Sequence, residues 1–280
     1  MDAVILLNKP AGMTSFDAVA KCRRIFHERK IGHTGTLDPE ASGLMIILLG
    51  KYTKLLPYCV KNHKAYQATL KLGEMTDTED IWGTVINTKT PSIHTKAEID
   101  NAVQSLTGDI LQVPPMYSAL KKDGKKLYEY ARQGIEIERE ARPVHISTLE
   151  VEKIDETNYR MNAVVSSGTY IRTLITDFGK QLDELAIMSS LIRTKIEHLS
   201  LKDACTFEDL ESGVSFLSPI QVIDPTYKIV ETDRVVDIKN GKRIKLDIRD
   251  PQVIFTSNGE LFAAYALQED GLYHCLRGLF

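Results

Sequence analysis

Gly32-His33-Thr34-Gly35-Thr36-Leu37-Asp38-Pro39-Glu40-Ala41-Ser42-Gly43-Leu44 decides how this chain is read. Glycines at positions 32, 35 and 43 and a proline at 39 frame one acid, Asp38, among small polar side chains. The apolar run Leu44-Met45-Ile46-Ile47-Leu48-Leu49 follows at once. Glycine permits close backbone approach, and loops braced on buried elements are where folds place reactive groups. The stretch therefore predicts a buried element with a carboxylate presented on the loop before it. An Asp before Pro also begins ordinary turns, its side chain bonding nearby amides. Taken alone, Asp38 fits either description.

Working outward, Met1-Asp2-Ala3-Val4-Ile5-Leu6-Leu7-Asn8-Lys9 reads as a first strand. It carries an acid near its start and lacks a signal peptide's basic start and cleavage site, so a cytoplasmic protein is expected. Thr14 or Ser15 caps a helix with a stripe of Phe16, Val19, Ala20 and Phe26. Downstream, Tyr66, Ala68, Leu70 and Leu72 alternate with polar residues as a half-buried strand. Thr76-Asp77-Thr78-Glu79-Asp80 forms an acidic loop closed by Gly83. Thr95 and Glu98 are spaced as a capping box for a helix through Ile99, Val103 and Leu106. Residues 112–143 read as a Pro-flanked, lysine-rich insertion with a short helix over 125–132. A strand at 159–165 runs through a Ser-Gly turn into a helix with the stripe Leu174, Ile175, Phe178 and Leu182. From about residue 223, Asn240-Gly241, Asn258-Gly259 and Asp270-Gly271 are hairpin signals, predicting a small all-β region.

Composition narrows the classes. At 43% hydrophobic residues, 280 residues can build a large core without disulfides. No apolar stretch reaches the length of a membrane span. Cys22, Cys59, Cys205 and Cys275 are scattered, with no paired spacing that signals a metal site; free buried thiols are expected. A net charge of −3 argues against a uniformly basic nucleic-acid binder. Basic residues nevertheless cluster at 21–30, at Lys121, Lys122, Lys125 and Lys126, and at 239–245. Screening limits the reach of distant charge to about 8–10 Å, so local clusters can hold phosphates on an acidic molecule. Each cluster alone is equally a solvated face. Neither glycine-rich nucleotide motif occurs, nor a Ser nucleophile elbow. What remains is carboxylate chemistry without a cofactor.

Two distant segments offer complements to Asp38. Tyr66 stands at the start of its strand, as an ordinary strand aromatic or as a stacking surface. Tyr170-Ile171-Arg172 places a ring and a guanidinium around one apolar residue. Arg172 is either a surface residue at a helix end or a cation that favours an ionised carboxylate. Asp77 and Asp80 are most simply turn residues.

The segments 8–15, 30–43, 64–66, 76–80, 112–121 and 167–174 occur in an order that resembles the TruB family of tRNA pseudouridine synthases, in the bacterial form that modifies uridine 55 of the T arm. The resemblance covers about residues 1–200. It implies an α+β fold with a mixed, mostly antiparallel sheet and flanking helices. Residues 1–222 would form the catalytic domain, with 112–143 a thumb-like RNA-binding insertion. Residues 223–280 would form a small β-barrel-like PUA-type RNA-binding domain. The implied activity is isomerisation of uridine to pseudouridine in the T stem-loop of tRNA, with no cofactor and no metal. The resemblance makes Asp38 the catalytic aspartate, Tyr66 the platform for the base, and Arg172 the partner of Asp38. Tyr170 and Leu191 would line the base pocket, His33 would prop the disturbed RNA loop, and Asp80 would join the polar network. Lys9 would contact RNA or support the loop. The carboxylate would attack C1′ of the ribose, or act as base at the 2′ position by a glycal route; the resemblance leaves both open. A monomer with no obligatory protein partner is expected. The rival readings are a guide-RNA-dependent synthase subunit and a non-catalytic tRNA-binding chaperone of the same fold.

Overall fold

The structure, a computed structural model, describes all 280 residues. It divides into two compact units, Met1–Lys61 with Leu199–Phe280, and Asn62–His198.

The first unit opens with β1 (Ala3–Lys9), α1 (Ser15–Phe26), β2 (Ile31–Thr34) and β3 (Ser42–Leu49). Ile47 on β3 pairs with Ile5 of β1 on one side and His33 of β2 on the other, antiparallel to both. β1 and β3 read as continuous apolar runs rather than alternations, and nearly all their residues are buried. Thr14 caps α1 in a capping box with Asp17. That cap fixes the first helical residue as Ser15 and turns Ser15, Ala18, Val19 and Cys22 inward. The predicted stripe is therefore corrected: Phe16, one residue out of phase with this face, is 68% exposed.

The second unit runs through β4 (His63–Leu72), β5 (Glu74–Thr76), β6 (Val85–Thr88), α2 (Lys96–Ser105) and β7 (Gly108–Gln112). It continues through β8 (Lys121–Lys122), β9 (Lys125–Lys126), α3 (Leu127–Ala131), β10 (Arg142–Lys153), β11 (Asn158–Ser166), α4 (Ile171–Gln181) and β12 (Ala186–Ile196). Its sheet has the order β12-β4-β11-β10-β7 with every pair antiparallel. The expected alternation on β4 holds, with Ala68, Leu70 and Leu72 buried. Leu174, Ile175, Phe178 and Leu182 of the α4 stripe are buried as well. Thr95 and Glu98 make the capping box their spacing predicts. In the lysine-rich segment the helix starts at Leu127 rather than 125. Asp123-Gly124, both at positive φ, fold Lys125-Lys126 back against Lys121-Lys122.

The chain then returns to the first unit through β13 (Leu199–Ser200), α5 (Phe207–Ser212), β14 (Lys228–Glu231), α6 (Val235–Lys239), β15 (Gln252–Ser257), β16 (Glu260–Leu267) and β17 (Tyr273–Gly278). β14 to β17 form an open four-stranded sheet in that order. Asn258-Gly259 and Asp270-Gly271 make two of the three predicted hairpin turns. Asn240-Gly241 does not: Asn240 caps the C-terminus of α6. The region is thus not all-β, and its sheet is not a closed barrel. β14 and β15 are parallel, and parallel neighbours need a crossover, which here contains α6. Ile238 of α6 joins Val253, Phe255, Tyr265 and Tyr273 in a buried core. The region also ties to the early chain: Asp224 N–H donates to the Tyr58 carbonyl at 2.9 Å, and Tyr227 meets Tyr58 edge-on at 5.3 Å.

No helix is long and apolar enough to cross a membrane. All four cysteines are free; Cys22 and Cys59 are buried, Cys205 is half-buried, and Cys275, contrary to expectation, is exposed. Burial pushes the Cys22 and Cys59 thiols up to about 12, leaving them inert.

Candidate active site

Asp38 stands in a turn that the first unit holds from beneath. Ala41 N–H donates to the Asp38 carbonyl at 3.1 Å. On one side, the buried Ser15 hydroxyl donates to the Leu37 carbonyl at 3.1 Å and accepts from Leu37 N–H at 2.9 Å. On the other, Gly12 N–H donates to the Pro39 carbonyl at 3.0 Å. Lys9 is fully buried, and its ammonium donates to the carbonyls of Pro10, Met13 and Pro39 at 2.8, 2.7 and 3.1 Å. The turn of residues 8–15 and the Asp38 turn are thus one cross-braced frame. The backbone on both sides of Asp38 is fixed, and its side chain is half-buried. His33 lies upstream on β2, also half-buried.

The second unit carries Tyr66, Asp80, Tyr170, Arg172 and Leu191. Tyr66 on β4 is opposite Ala163 of β11 and Arg193 of β12, so these three share one face of the sheet. Leu191, buried, is opposite Ala68, the next residue along that face. Tyr170 precedes α4, held by a reciprocal amide clasp. Gln112 Oε1 accepts from Tyr170 N–H at 2.8 Å, and Gln112 Nε2 donates to the Tyr170 carbonyl at 3.1 Å.

Arg172 is 6% exposed, not a surface residue. Its guanidinium donates to the carbonyls of Thr78 and Tyr117 at 2.9 and 2.8 Å, with Asp80 Oδ2 4.0 Å away. Asp80 in turn accepts from the Thr78 hydroxyl at 2.6 Å and from Trp82 N–H at 3.1 Å. The acidic loop is locked by Asp77, which accepts from Thr84 N–H at 2.7 Å. It docks on β12 where Ile81 N–H donates to the Met188 carbonyl and Met188 N–H to that of Glu79. A Cβ on Gly83 would collide with the Thr78 and Asp77 side chains, which their own hydrogen bonds hold in place, so a larger residue fits only if they move.

Electrostatics follow from this packing. Burial pushes the Glu79 carboxyl up, although the Thr173 hydroxyl bonds it at 2.8 Å and Arg172 opposes the shift. Burial, reinforced by Asp77, raises the Tyr117 phenol. Burial lowers the Lys64 ammonium to about 8, and Arg193 adds to the effect. No group of His, Cys, Asp or Glu residues is arranged to hold a metal ion.

Sequence reasoning missed Gln112, the carbonyls of Thr78 and Tyr117, and Lys64. Carbonyl acceptors leave no residue-type signal. Gln112 ends a strand before two prolines and meets Tyr170 only in three dimensions.

Residues 23–171 match the model of the TruB family pseudouridylate synthase N-terminal domain. The chain belongs to that family. A protein of Oceanobacillus iheyensis named tRNA pseudouridine synthase B is 40% identical over 280 residues, covering 95% of this chain and 92% of its own. Bearers of the same name from Geobacillus thermodenitrificans and Clostridium perfringens are 42% and 49% identical, over 95% and 87% of this chain and 94% and 85% of theirs. The crystal structure of a Cbf5-Nop10-Gar1 complex contains a chain of the same fold, with TM-score 0.71 at 24% identity, over 99% of this chain and 85% of that one. The TruB family core is thus an α+β pseudouridine synthase fold of mixed sheet and helices.

Proposed function

We propose that this protein isomerises uridine to pseudouridine in tRNA, at position 55 of the T stem-loop, acting as a cytoplasmic monomer. Its relatives named tRNA pseudouridine synthase B, at 40–49% identity, support the activity. The observation that carries the assignment to Asp38 is the bracing of its turn from both sides by Ser15, Lys9 and Gly12. A turn made only to reverse the chain needs no such frame; an acid that must meet a ribose at fixed geometry does.

In this reading the N1–C1′ bond breaks, the uracil turns, and C5 rejoins the same ribose. Asp38 acts on the sugar, either as nucleophile at C1′ or as base at the 2′ position. Arg172 is assigned to Asp38 as its countercharge. Tyr66 stacks the detached base, an interaction worth roughly 1–3 kcal/mol, and its hydroxyl is the candidate for removing the C5 proton. Tyr170 and Leu191 line the base pocket, Asp80 steadies Arg172, Lys9 supports the loop, and His33 props the RNA. The target base is reached by flipping it out of the loop. Residues 112–143 form the thumb over the T stem-loop, their lysine hairpin meeting phosphates. Residues 1–222 act as the catalytic domain and 223–280 as a PUA-type RNA-binding module. The test is incubation of the purified protein alone with an unmodified tRNA transcript, then mapping of pseudouridine. Product at position 55 is expected. Product only with an added guide RNA would favour the guide-dependent reading, and binding without product the chaperone.

A further inference from the structure

Lys64 opens the face of β4 that continues through Tyr66 and Ala68, since alternate residues of a strand share a face. Across the ladder, that face holds Val165 opposite Lys64 on β11, and Ile196 and Arg193 opposite Lys64 and Tyr66 on β12. Arg193 and Val165 are each 1% exposed. Lys64 makes no ion pair. Its one hydrogen-bond partner is the Ser167 hydroxyl at 3.3 Å, in the turn that leads to Tyr170. His63 and Glu197 bond each other, and Lys195 is opposite Ala65 on the other face. No carboxylate offsets the lowering of the ammonium by burial and by Arg193. A half-buried positive charge beside Tyr66, answered only by one hydroxyl, marks a place prepared for an anion.

We propose that Lys64 stabilises the negative charge that gathers on uracil as its glycosidic bond breaks. The proposal rests on the reading of Tyr66 as the platform for the detached base. When N1–C1′ breaks, the bonding pair leaves on N1 and spreads over O2 and O4. C1′ takes a new bond from the carboxylate oxygen, or the 2′ proton passes to the carboxylate. By either route the base departs as a monoanion, and no oxidant or reductant is involved. On rejoining, C5 gives its electron pair to C1′ as the carboxylate–C1′ bond breaks, or as the carboxylate returns its proton to the 2′ position. The C5 proton then passes to the candidate base, the Tyr66 hydroxyl, and N1 takes up a proton to give neutral pseudouridine. Lys64 transfers no proton; it acts by its charge. A fixed donor in a partly desolvated site stabilises such charge far better than water does.

The test compares the wild type with Lys64→Met and Lys64→Arg in single turnovers at saturating tRNA, across pH. Lys64→Met should slow turnover about a hundredfold at neutral pH, as does loss of one preorganised donor to a developing anion. Its tRNA Kd should stay within about threefold, since the lost interaction belongs to the transition state. Wild-type turnover should fall above pH 8 as Lys64 loses its proton, and Lys64→Arg, which stays charged, should lose that alkaline limb. An unchanged Lys64→Met rate, a loss confined to Kd as for a phosphate anchor, or an alkaline limb retained in Lys64→Arg overturns the proposal. A wild type that makes no pseudouridine overturns the underlying reading instead.

Discussion

Two lysines are taken out of water in this fold, on opposite terms. Lys9 donates to three carbonyls, so its burial is compensated. Lys64 has one hydroxyl, and burial lowers it from 10.5 to about 8. Their substitutions should act with opposite sign. Lys9→Met leaves buried carbonyls unanswered and should destabilise the protein by about 2 kcal/mol in urea unfolding. Full retention of stability would contradict the bracing role. For Lys64, the unfolded chain binds more protons than the folded one between about pH 8 and 10.5, so stability rises with pH through that window. The penalty is fully present below pH 8. Lys64→Met should therefore raise the Tm at pH 7, with the gain fading toward pH 10.5; a lower Tm would contradict this. Asp38, Tyr66 and Arg172 were singled out through the order of the family-like segments that carry them, since an acid before proline, a strand aromatic and an arginine at a helix start each also suit an ordinary structural place. Lys64 lay in a family-like segment but was given no role, because one lysine at a strand start looks like any solvated lysine until its burial is known.

At the scale of elements, the acidic loop is held by a point of contact rather than by length. Gly83 closes it because the Thr78 and Asp77 side chains occupy the space of a Cβ. Gly83→Ala should push those side chains away and cost roughly 1–3 kcal/mol, as overpacking does. It should also lower pseudouridine formation, since the Thr78 carbonyl holds Arg172. Wild-type stability and activity together would show that the loop does not carry this constraint. The capping boxes at Thr95 and the stripe of α4 were legible, because cap and periodicity agree there. At α1 the stripe was misphased: apolar Phe16 was counted as core, whereas the Thr14 cap set the register. Asn240-Gly241 shows the same limit, since the pair suits a helix end as well as a hairpin.

For the whole molecule, residues after 222 share the first unit with the start of the chain. Ending the chain at Val222 removes Tyr227 from Tyr58 and the Asp224 bond to the Tyr58 carbonyl. The shortened protein should melt below the full chain; an unchanged Tm would mean that the region contributes nothing to that unit. This packing was invisible in sequence, because contacts between distant parts of the chain leave no local pattern. Binding to tRNA should weaken steeply with salt. Each phosphate contact released contributes about −0.9 to the log–log slope for duplex DNA, and less for single strands. A flat salt response would exclude the basic clusters as the binding surface. The central claim is that Asp38 performs the chemistry on a braced turn. Asp38→Asn, nearly isosteric, should be compared with the wild type on an unmodified tRNA transcript, scoring pseudouridine at position 55 and tRNA Kd together. Pseudouridine should vanish while Kd stays close to the wild-type value; normal pseudouridine formation by the variant would mean that Asp38 does not perform the chemistry.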